Sequence, residues 1–154
     1  MKISTRGRYA LRMMLDLARR GGADTPISLA SVAERTGISH GYLEQVALSL
    51  RNAGLVRGVA GRHGGYKLSS SPEDISIRQI IEATIGPICV VDCIEEPESC
   101  PRAESCECRV VYAMINLRVG EVLEEYNLAD LIDPGWMKET GRSVTGRLVG
   151  LETG

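Results

Sequence analysis

Four cysteines lie close together in the second half of the chain, within sixteen residues and with the spacing C-x6-C-x5-C-x-C, at positions Cys93, Cys100, Cys106 and Cys108. The segment around them holds two prolines, many acidic residues and almost no apolar ones, so it cannot bury a core of its own. The entropy lost in ordering it must be offset, and a bound metal or iron–sulfur cluster is the simplest candidate. Thiolates suit soft iron, and the C-x2-C pairs common in structural zinc sites do not occur here.

The remaining cysteine usage favours free thiols or metal ligands over disulfides. Five cysteines cannot all pair within one chain, and the N-terminus lacks the uninterrupted apolar block of a secretory signal. We therefore expect a cytoplasmic protein, and no apolar stretch is long enough for a membrane span. Cys89 lies in the apolar run PICVV and is better explained as a small buried hydrophobe than as a ligand.

The net charge of −2 hides a strong asymmetry along the chain. Residues 1–67 contain eleven Lys/Arg and four Asp/Glu, for a charge of +7, whereas residues 68–154 carry −9. A basic half is typical of a protein that binds a polyanion, and double-stranded DNA is the partner that the motifs below favour.

The elements that must position these residues are mainly α-helical, with one small β-hairpin. Caps and glycine stops predict helices over residues 5–20, 29–36 and 40–53. The last two are joined by the tight turn T-G-I-S, which predicts a helix-turn-helix. On the third helix we expect Val46, Leu48 and Leu50 to form the buried side.

The chain after this motif predicts a wing, a further helix and a long late helix. LVRGVA and YKL read as the two strands of a hairpin, followed by a helix from residue 77 to 86. The helix over 109–126 is apolar around most of its circumference, so we expect a partner helix from a second subunit to cover it. From residue 133 the periodicity stops and we expect a frayed tail. The predicted organisation is a winged helix-turn-helix domain (1–86), a cysteine loop (87–108), a dimerisation helix (109–132) and a flexible tail (133–154).

The start of the third helix carries the residues that can read base edges. A recognition helix places its first residues nearest the major groove, and here these are Ser39, His40, Tyr42, Glu44 and Gln45. Gln can read adenine, Glu can accept from cytosine, and Ser or Tyr can bind phosphate.

The wing tip and the basic residues supply the sequence-independent part of binding. Arg62 and His63 lie between glycines that allow a sharp tip, and an arginine there suits a narrow minor groove. Further phosphate contacts are expected from Arg6, Arg8, Arg12, Arg51, Arg57 and Lys67.

These motifs together resemble the IscR/NsrR/CymR family of bacterial winged-helix regulators. The resemblance rests on MKISTRGRYALRMMLDLA, ISHGYLEQVALSLRNAGLV, the wing GRHGGYKL, and the cysteine loop followed by a long helix and LADL, and it covers roughly residues 1–132. It implies a homodimer whose long helices cross, with a cysteine loop beside each DNA-binding domain. Members with three loop cysteines carry an iron–sulfur cluster, of the [2Fe-2S] or [4Fe-4S] type, that alters DNA binding.

The resemblance also implies which residues hold the cluster. Cys93, Cys100 and Cys106 match the three cluster cysteines, but the positions of the fourth ligand in relatives are occupied here by Arg109 and Arg8. Neither arginine can ligate, so Cys108 becomes the first candidate, followed by Glu107 or a small exogenous molecule.

Two alternatives stay open. The same regulator can carry zinc or a thiol switch in the loop, and a small redox or electron-transfer protein using the C-E-C pair belongs to a different class. No catalytic set of Ser, His and Asp and no phosphate-cradling glycine loop stands out, so we do not expect an enzyme. In a regulator, cluster loss would free the loop and alter either the spacing of two recognition helices or the placement of Glu44.

Overall fold

The chain folds into seven α-helices, one β-hairpin and several short 3-10 turns over the part that the structure describes. This computed structural model describes residues 3–149, and side chains as far as residue 144. The elements are α1 (Thr5–Arg20), α2 (Leu29–Thr36), α3 (His40–Asn52), β1 (Val56–Val59), β2 (Gly65–Leu68), α4 (Ile77–Ile85), α5 (Glu107–Glu125), α6 (Leu128–Ile132) and α7 (Pro134–Val149).

Local capping explains where the first helices begin and end. The Ser28 and Ser39 hydroxyls accept hydrogen bonds from backbone amides of the first turns of α2 and α3. Gly37 ends α2 with φ 70°, a left-handed conformation that glycine adopts at little cost. Ser76 and Gln79 form a reciprocal capping box at the start of α4.

The core lies where α1 packs against α2, α3 and α4. Its fully buried side chains include Met13, Met14, Leu17, Val32, Leu43, Val46, Leu50, Val56, Leu68, Ile75, Ile80 and Leu128. On α3 the buried positions are 43, 46, 47 and 50, which repeat at helical spacing. The prediction that Leu48 is buried is therefore wrong: its side chain is 48% exposed, because a position two residues from Val46 or Leu50 points to another face.

The wing is an antiparallel hairpin that is fixed to the helical core at its base. Val56 pairs with Leu68 and Val59 with Gly65. The backbone of Tyr66 also exchanges two 2.8 Å hydrogen bonds with Ile27, which precedes α2. At Gly65 a Cβ atom would lie 2.3 Å from the Ile27 carbonyl oxygen, so only glycine allows this close approach.

The chain returns to the winged domain after α5. The amide of Leu128 donates to the Ile75 carbonyl at 2.9 Å, and the amide of Ile77 donates to the Tyr126 carbonyl at 3.0 Å. Leu128 is fully buried in the core. Residues 126–132 thus close the winged domain, and α5 is tied to that domain at its carboxyl end.

The prediction of a frayed tail from residue 133 differs from the structure, because residues 134–149 form helix α7. Residues 150–154 of the predicted tail lie outside the described residues. Pro134 takes the first helical position, and the Asp133 carboxylate accepts a 2.8 Å hydrogen bond from the Gly135 amide. The Trp136 ring packs edge-on against Tyr126 with centroids 5.3 Å apart. Local capping and one aromatic contact thus start a helix where apolar periodicity gave no signal.

Candidate functional site

The start of α3 presents polar side chains on an exposed surface. Ser39, His40, Glu44 and Gln45 are all exposed, and the Ser39 hydroxyl accepts from the Tyr42 amide as the helix cap. The His40 Nδ1 atom lies 3.7 Å from the Glu44 carboxylate, with the two side chains 52% and 63% exposed. The predicted base-reading residues are therefore together on one accessible helix end.

Tyr42 differs from its neighbours because its ring is held by α1. It is half-buried and packs edge-on against Tyr9, with ring centroids 5.2 Å apart. The guanidinium of Arg12 in turn lies 5.9 Å from the centre of the Tyr9 ring. This stack joins the first turn of α3 to α1 and limits the freedom of Tyr42.

Most of the predicted phosphate-binding residues are exposed, and two of them make hydrogen bonds to nearby hydroxyl groups. Arg8, Arg51, Arg57, Arg62 and His63 are exposed. Arg6 donates to the Ser49 hydroxyl at 2.8 Å and so bridges α1 and α3. Arg8 donates to the Thr5 hydroxyl within its own helix at 3.1 Å. Arg57 and Lys67 are directly paired across the hairpin, which places two cations side by side on the wing.

One ion pair that the sequence reasoning missed fixes α2 against α1. The Arg35 guanidinium donates to both Asp16 carboxylate oxygens, at 2.8 and 2.6 Å. These hydrogen bonds raise the pKa of Arg35 further above its ordinary value. The pair spans nineteen residues of sequence, so only the folded chain reveals it. Arg35 therefore stabilises the packing of α2 on α1, although it belongs to the basic half of the chain.

The cysteine loop is built from three consecutive 3-10 turns, Asp92–Ile94, Pro97–Ser99 and Ala103–Ser105. Cys93 lies inside the first turn, while Cys100 and Cys106 directly follow the second and third. All three thiols are half-buried, whereas Cys108 is exposed in the first turn of α5. Cys106 is the N-cap residue of α5, yet its side chain makes no capping hydrogen bond. Its thiol is therefore not engaged in holding the helix.

Cys89 occupies a different environment from the other cysteines, and it is half-buried rather than fully buried. Its thiol is half-buried and donates to the Val91 carbonyl at 3.0 Å. It also lines an apolar groove between α4 and α5 rather than the loop of turns. Cys89 can therefore serve as a control when the three loop cysteines are substituted.

The loop is anchored to α4 and α5 at three points. The Glu82 carboxylate on α4 accepts from the Ile88 amide at 3.2 Å and from Arg78 at 3.0 Å. The Asn116 side-chain carbonyl on α5 accepts from the Val90 amide at 3.0 Å. Arg109 on α5 donates from Nε to the Cys93 carbonyl at 2.8 Å. Sequence reasoning missed Asn116 and treated Arg109 only as a residue that cannot ligate iron.

The three thiols are chemically suitable ligands for an iron–sulfur cluster, but in this structure they are not close enough together to bind one. Three half-buried thiols on a loop with a single buried residue, Ala103, are suitable soft ligands. In the described residues, no three His, Cys, Asp or Glu side chains are gathered closely enough to hold a metal ion. The ligands would be Cys93, Cys100 and Cys106, and the loop must draw them together on binding.

Helix α5 leaves most of its apolar surface uncovered. Its large exposed hydrophobic residues are Val110, Val111, Tyr112, Met114, Ile115, Leu117 and Val122. A groove of about 900 Å³ runs between α5 and α4, and a second of about 540 Å³ lies between α5 and the cysteine loop. Met114 lines both grooves. Only Gly120 is buried on α5, where the Arg78 guanidinium crosses the helix 3.5 Å from where a Cβ would be.

None of the helices found over residues 3–149 combines the length and the hydropathy needed to traverse a bilayer.

Comparison with known proteins gives consistent matches over most of the chain. The sequence model of the Rrf2 family, described as "Iron-dependent Transcriptional regulator", matches residues 3–134. The chain is 42% identical to the HTH-type transcriptional regulator CymR of Bacillus subtilis (strain 168) over 131 residues, covering 85% of this chain and 89% of that protein.

Solved structures agree with the sequence matches. The structure of CymR (YrzC), described as the global cysteine regulator of B. subtilis, has a TM-score of 0.70 and 41% identity, covering 86% of this chain and 96% of that one. The structure of T. potens IscR has a TM-score of 0.66 and 36% identity, covering 86% of each chain. These matches confirm the predicted mainly α-helical winged fold, and the matched proteins named here are transcription regulators rather than enzymes.

Proposed function

The chain belongs to the Rrf2 family of transcriptional regulators, and we propose that it binds operator DNA as a homodimer under the control of an iron–sulfur cluster. Cys93, Cys100 and Cys106 hold the cluster in this proposal, and Cys108 is the first candidate for the fourth ligand, followed by Glu107 or an exogenous molecule. When bound, the cluster supplies a centre that responds to iron–sulfur, redox or nitric oxide status.

The observation that carries this proposal is the position of the three half-buried thiols. They lie on a loop that hydrogen-bonds to α4 through Glu82 and to α5 through Asn116. Helix α4 packs against both α1 and α3, so α4 connects the loop to the recognition helix α3. A change in loop order therefore reaches the DNA-reading surface through packed elements.

DNA contacts follow from the exposed side chains at the start of α3 and on the wing. Glu44 and Gln45 read base edges in the major groove, while Ser39, His40 and Tyr42 contact nearby phosphates or edges. Arg62 and His63 approach from the wing tip. The phosphate contacts come from Arg6, Arg8, Arg51 and Arg57.

A homodimer supplies the missing cover for α5. Seven large hydrophobic residues are exposed on this one helix. A soluble monomer rarely exposes so many apolar side chains next to one another. A second copy of α5, seated along the two grooves, buries these side chains and sets the distance between two recognition helices. That distance must match half-sites about 34–36 Å apart, or a multiple of this spacing.

The proposal is tested by anaerobic purification of the full chain, followed by iron and sulfide counts and visible absorbance. We expect a coloured protein whose iron is lost when Cys93, Cys100 and Cys106 are replaced by Ala. Cys89→Ala is the matched control, because that thiol precedes the three 3-10 turns and already donates to the Val91 carbonyl. A colourless, iron-free wild type that binds its operator normally would refute cluster control.

A second function, control of the same DNA binding by zinc or a thiol switch, is favoured by the exposed thiol of Cys108 next to half-buried Cys106. Similarity to a protein described as a cysteine regulator also supports it. One mole of zinc per chain, or DNA binding that changes with oxidant in iron-free protein, would select this alternative.

A further inference from the structure

Arg109 contacts both the first and the third of the three half-buried cysteine residues of the loop. The Arg109 backbone amide donates to the Cys106 carbonyl at 3.2 Å. Its side chain reaches back across the loop, where Nε donates to the Cys93 carbonyl at 2.8 Å and Nη2 to the Ile94 carbonyl at 3.5 Å. Cys93 and Cys106, thirteen positions apart in sequence, are thus both contacted by one residue, Cys93 by its side chain and Cys106 by its backbone amide.

We propose that Arg109 is a positioning residue that holds the Cys93 segment against the start of α5 before any cluster is present, and that its guanidinium places a fixed positive charge beside the cluster thiolates. The electrostatic effect of Arg109 on the thiolates rests on the proposed function. The role of Arg109 in holding the loop can be tested in protein without a cluster.

The geometry requires an arginine. A guanidinium is planar and carries donors in a rigid fork, so Nε and Nη2 can contact the carbonyls of two successive residues together. A lysine has the same charge but one rotatable ammonium group, and it cannot reproduce this paired contact. The two side chains therefore separate the effect of the fork from the effect of the charge.

The charge of Arg109 is not used elsewhere in the described residues. Each salt bridge found there joins other residues, namely Arg35–Asp16, His40–Glu44, Arg78–Glu82 and Arg118–Glu121. Arg109 is half-buried and lines the same groove as Cys106, so water screens its charge less than at an exposed position. A nearby cation stabilises the more negative, reduced form of a thiolate-ligated cluster and raises its reduction potential.

The first experiment uses the full chain without metal and measures amide hydrogen exchange of the loop. The Glu95 and Glu96 amides both donate to the Asp92 carbonyl, at 3.1 and 2.9 Å, and report on the order of the first turn. We expect exchange at these amides to be about tenfold faster in Arg109→Gln and Arg109→Lys, because both lose the forked contact. Arg102→Gln, which removes an exposed arginine from the same loop, is the matched control and should leave exchange unchanged.

The second experiment uses the reconstituted protein and measures the midpoint potential and the half-life of the visible absorbance under a chelator. Arg109→Gln should shorten the half-life about tenfold, as loss of an outer contact to a metal ligand typically does, and move the potential to more negative values. Arg109→Lys should restore the potential but not the protection of the loop amides.

The outcomes are distinct. Unchanged exchange at Glu95 and Glu96 in metal-free Arg109→Gln, or an equal acceleration in Arg102→Gln, overturns the role of Arg109 in holding the loop. An unchanged potential in Arg109→Gln overturns the role of its charge. A wild-type chain that takes up neither iron nor sulfide overturns the proposed function together with the charge role, while the exchange comparison still decides whether Arg109 holds the loop.

Discussion

Met114→Glu is expected to convert the proposed homodimer into monomers. Met114 lies on the exposed face of α5 and lines both grooves beside that helix. Its side chain is 62% exposed, and Val110 and Leu117, one turn away on either side, are exposed to 63% and 61%. A carboxylate at this position would face the apolar surface of the partner helix.

The magnitude follows from the exposed fraction. Full burial of a Met side chain contributes about 1.5–3 kcal/mol, so burying the exposed three-fifths contributes about 1–2 kcal/mol. The substitution occurs once in each protomer, which doubles the loss to about 2–4 kcal/mol before the desolvation of two carboxylates is added. Because each 1.4 kcal/mol is a factor of ten, we expect the dimer dissociation constant to rise at least about 30-fold.

The assay is sedimentation velocity over a concentration series, with far-UV circular dichroism to show that the variant remains folded. Met137→Glu is the matched control, since Met137 on α7 is 49% exposed and undergoes the same chemical change away from the face of α5. Operator binding should also fall for Met114→Glu, because a monomer reaches only one half-site.

Two results would contradict this reasoning. A dissociation constant that changes less than about threefold in Met114→Glu would mean that the face of α5 is not the dimer interface. An equal loss in Met137→Glu would mean that added charge, and not the loss of buried apolar surface, drives dissociation.

Three further comparisons test neighbouring residues. Arg62→Ala should weaken binding to every DNA sequence and reduce the salt slope by about 1, whereas Glu44→Ala should alter preference at one base pair by about 1–3 kcal/mol; equal effects on a panel of operators would argue against both roles. Leu50→Ala should lower the free energy of unfolding by about 2–5 kcal/mol in urea and Leu48→Ala by less than about 1 kcal/mol, with similar losses counting against the burial assignment. Asn116→Ala, which leaves the Val90 amide without its acceptor, should cost about 1 kcal/mol and speed exchange at that amide; unaltered exchange would remove this anchor.

The helices of the winged domain were predictable because their signals are local. The ends of α1 and α2 follow from caps and glycine stops, and the predicted bounds agree with the structure. The error at Leu48 came from reading positions 46, 48 and 50 as one face, which is the period of a strand and not of a helix. Positions 43, 46, 47 and 50 carry the helical pattern and are the buried ones.

The start of α7 was present in the sequence but was overlooked. Asp133 followed by Pro134 is a typical helix start, with an acceptor side chain at the cap and proline at the first helical position. Gly135 and Gly141 lower helix propensity, and the segment lacks an apolar stripe, so the composition pointed to a tail. The contact of Trp136 with Tyr126 depends on tertiary structure and gives no periodic signal.

The cysteine site shows what sequence alone could not supply. The candidate donor residues are visible in the sequence from their types and spacing, but the anchors of the loop join residues that are 6, 16 and 26 positions apart. Nothing in the composition distinguishes Arg109 or Asn116 from other polar residues on an exposed helix. Their roles depend on the packing of α5 beside the loop, which is fixed by the return of the chain at Leu128.

The strength of these anchors limits how much a change in loop order can alter the affinity for operator DNA. Each hydrogen bond contributes about 1 kcal/mol net, so the contacts of Glu82, Asn116 and Arg109 stabilise the ordered loop by roughly 2–4 kcal/mol. Typical allosteric coupling energies of about 1–3 kcal/mol correspond to changes in affinity of about 5- to 150-fold. Under the proposed function, loop order alone is therefore sufficient for ordinary regulation, because α4 contacts α5 as well as α1 and α3. A change in operator affinity far above 150-fold would require a further contribution, and we expect rearrangement of the proposed dimer along the uncovered face of α5 to supply it.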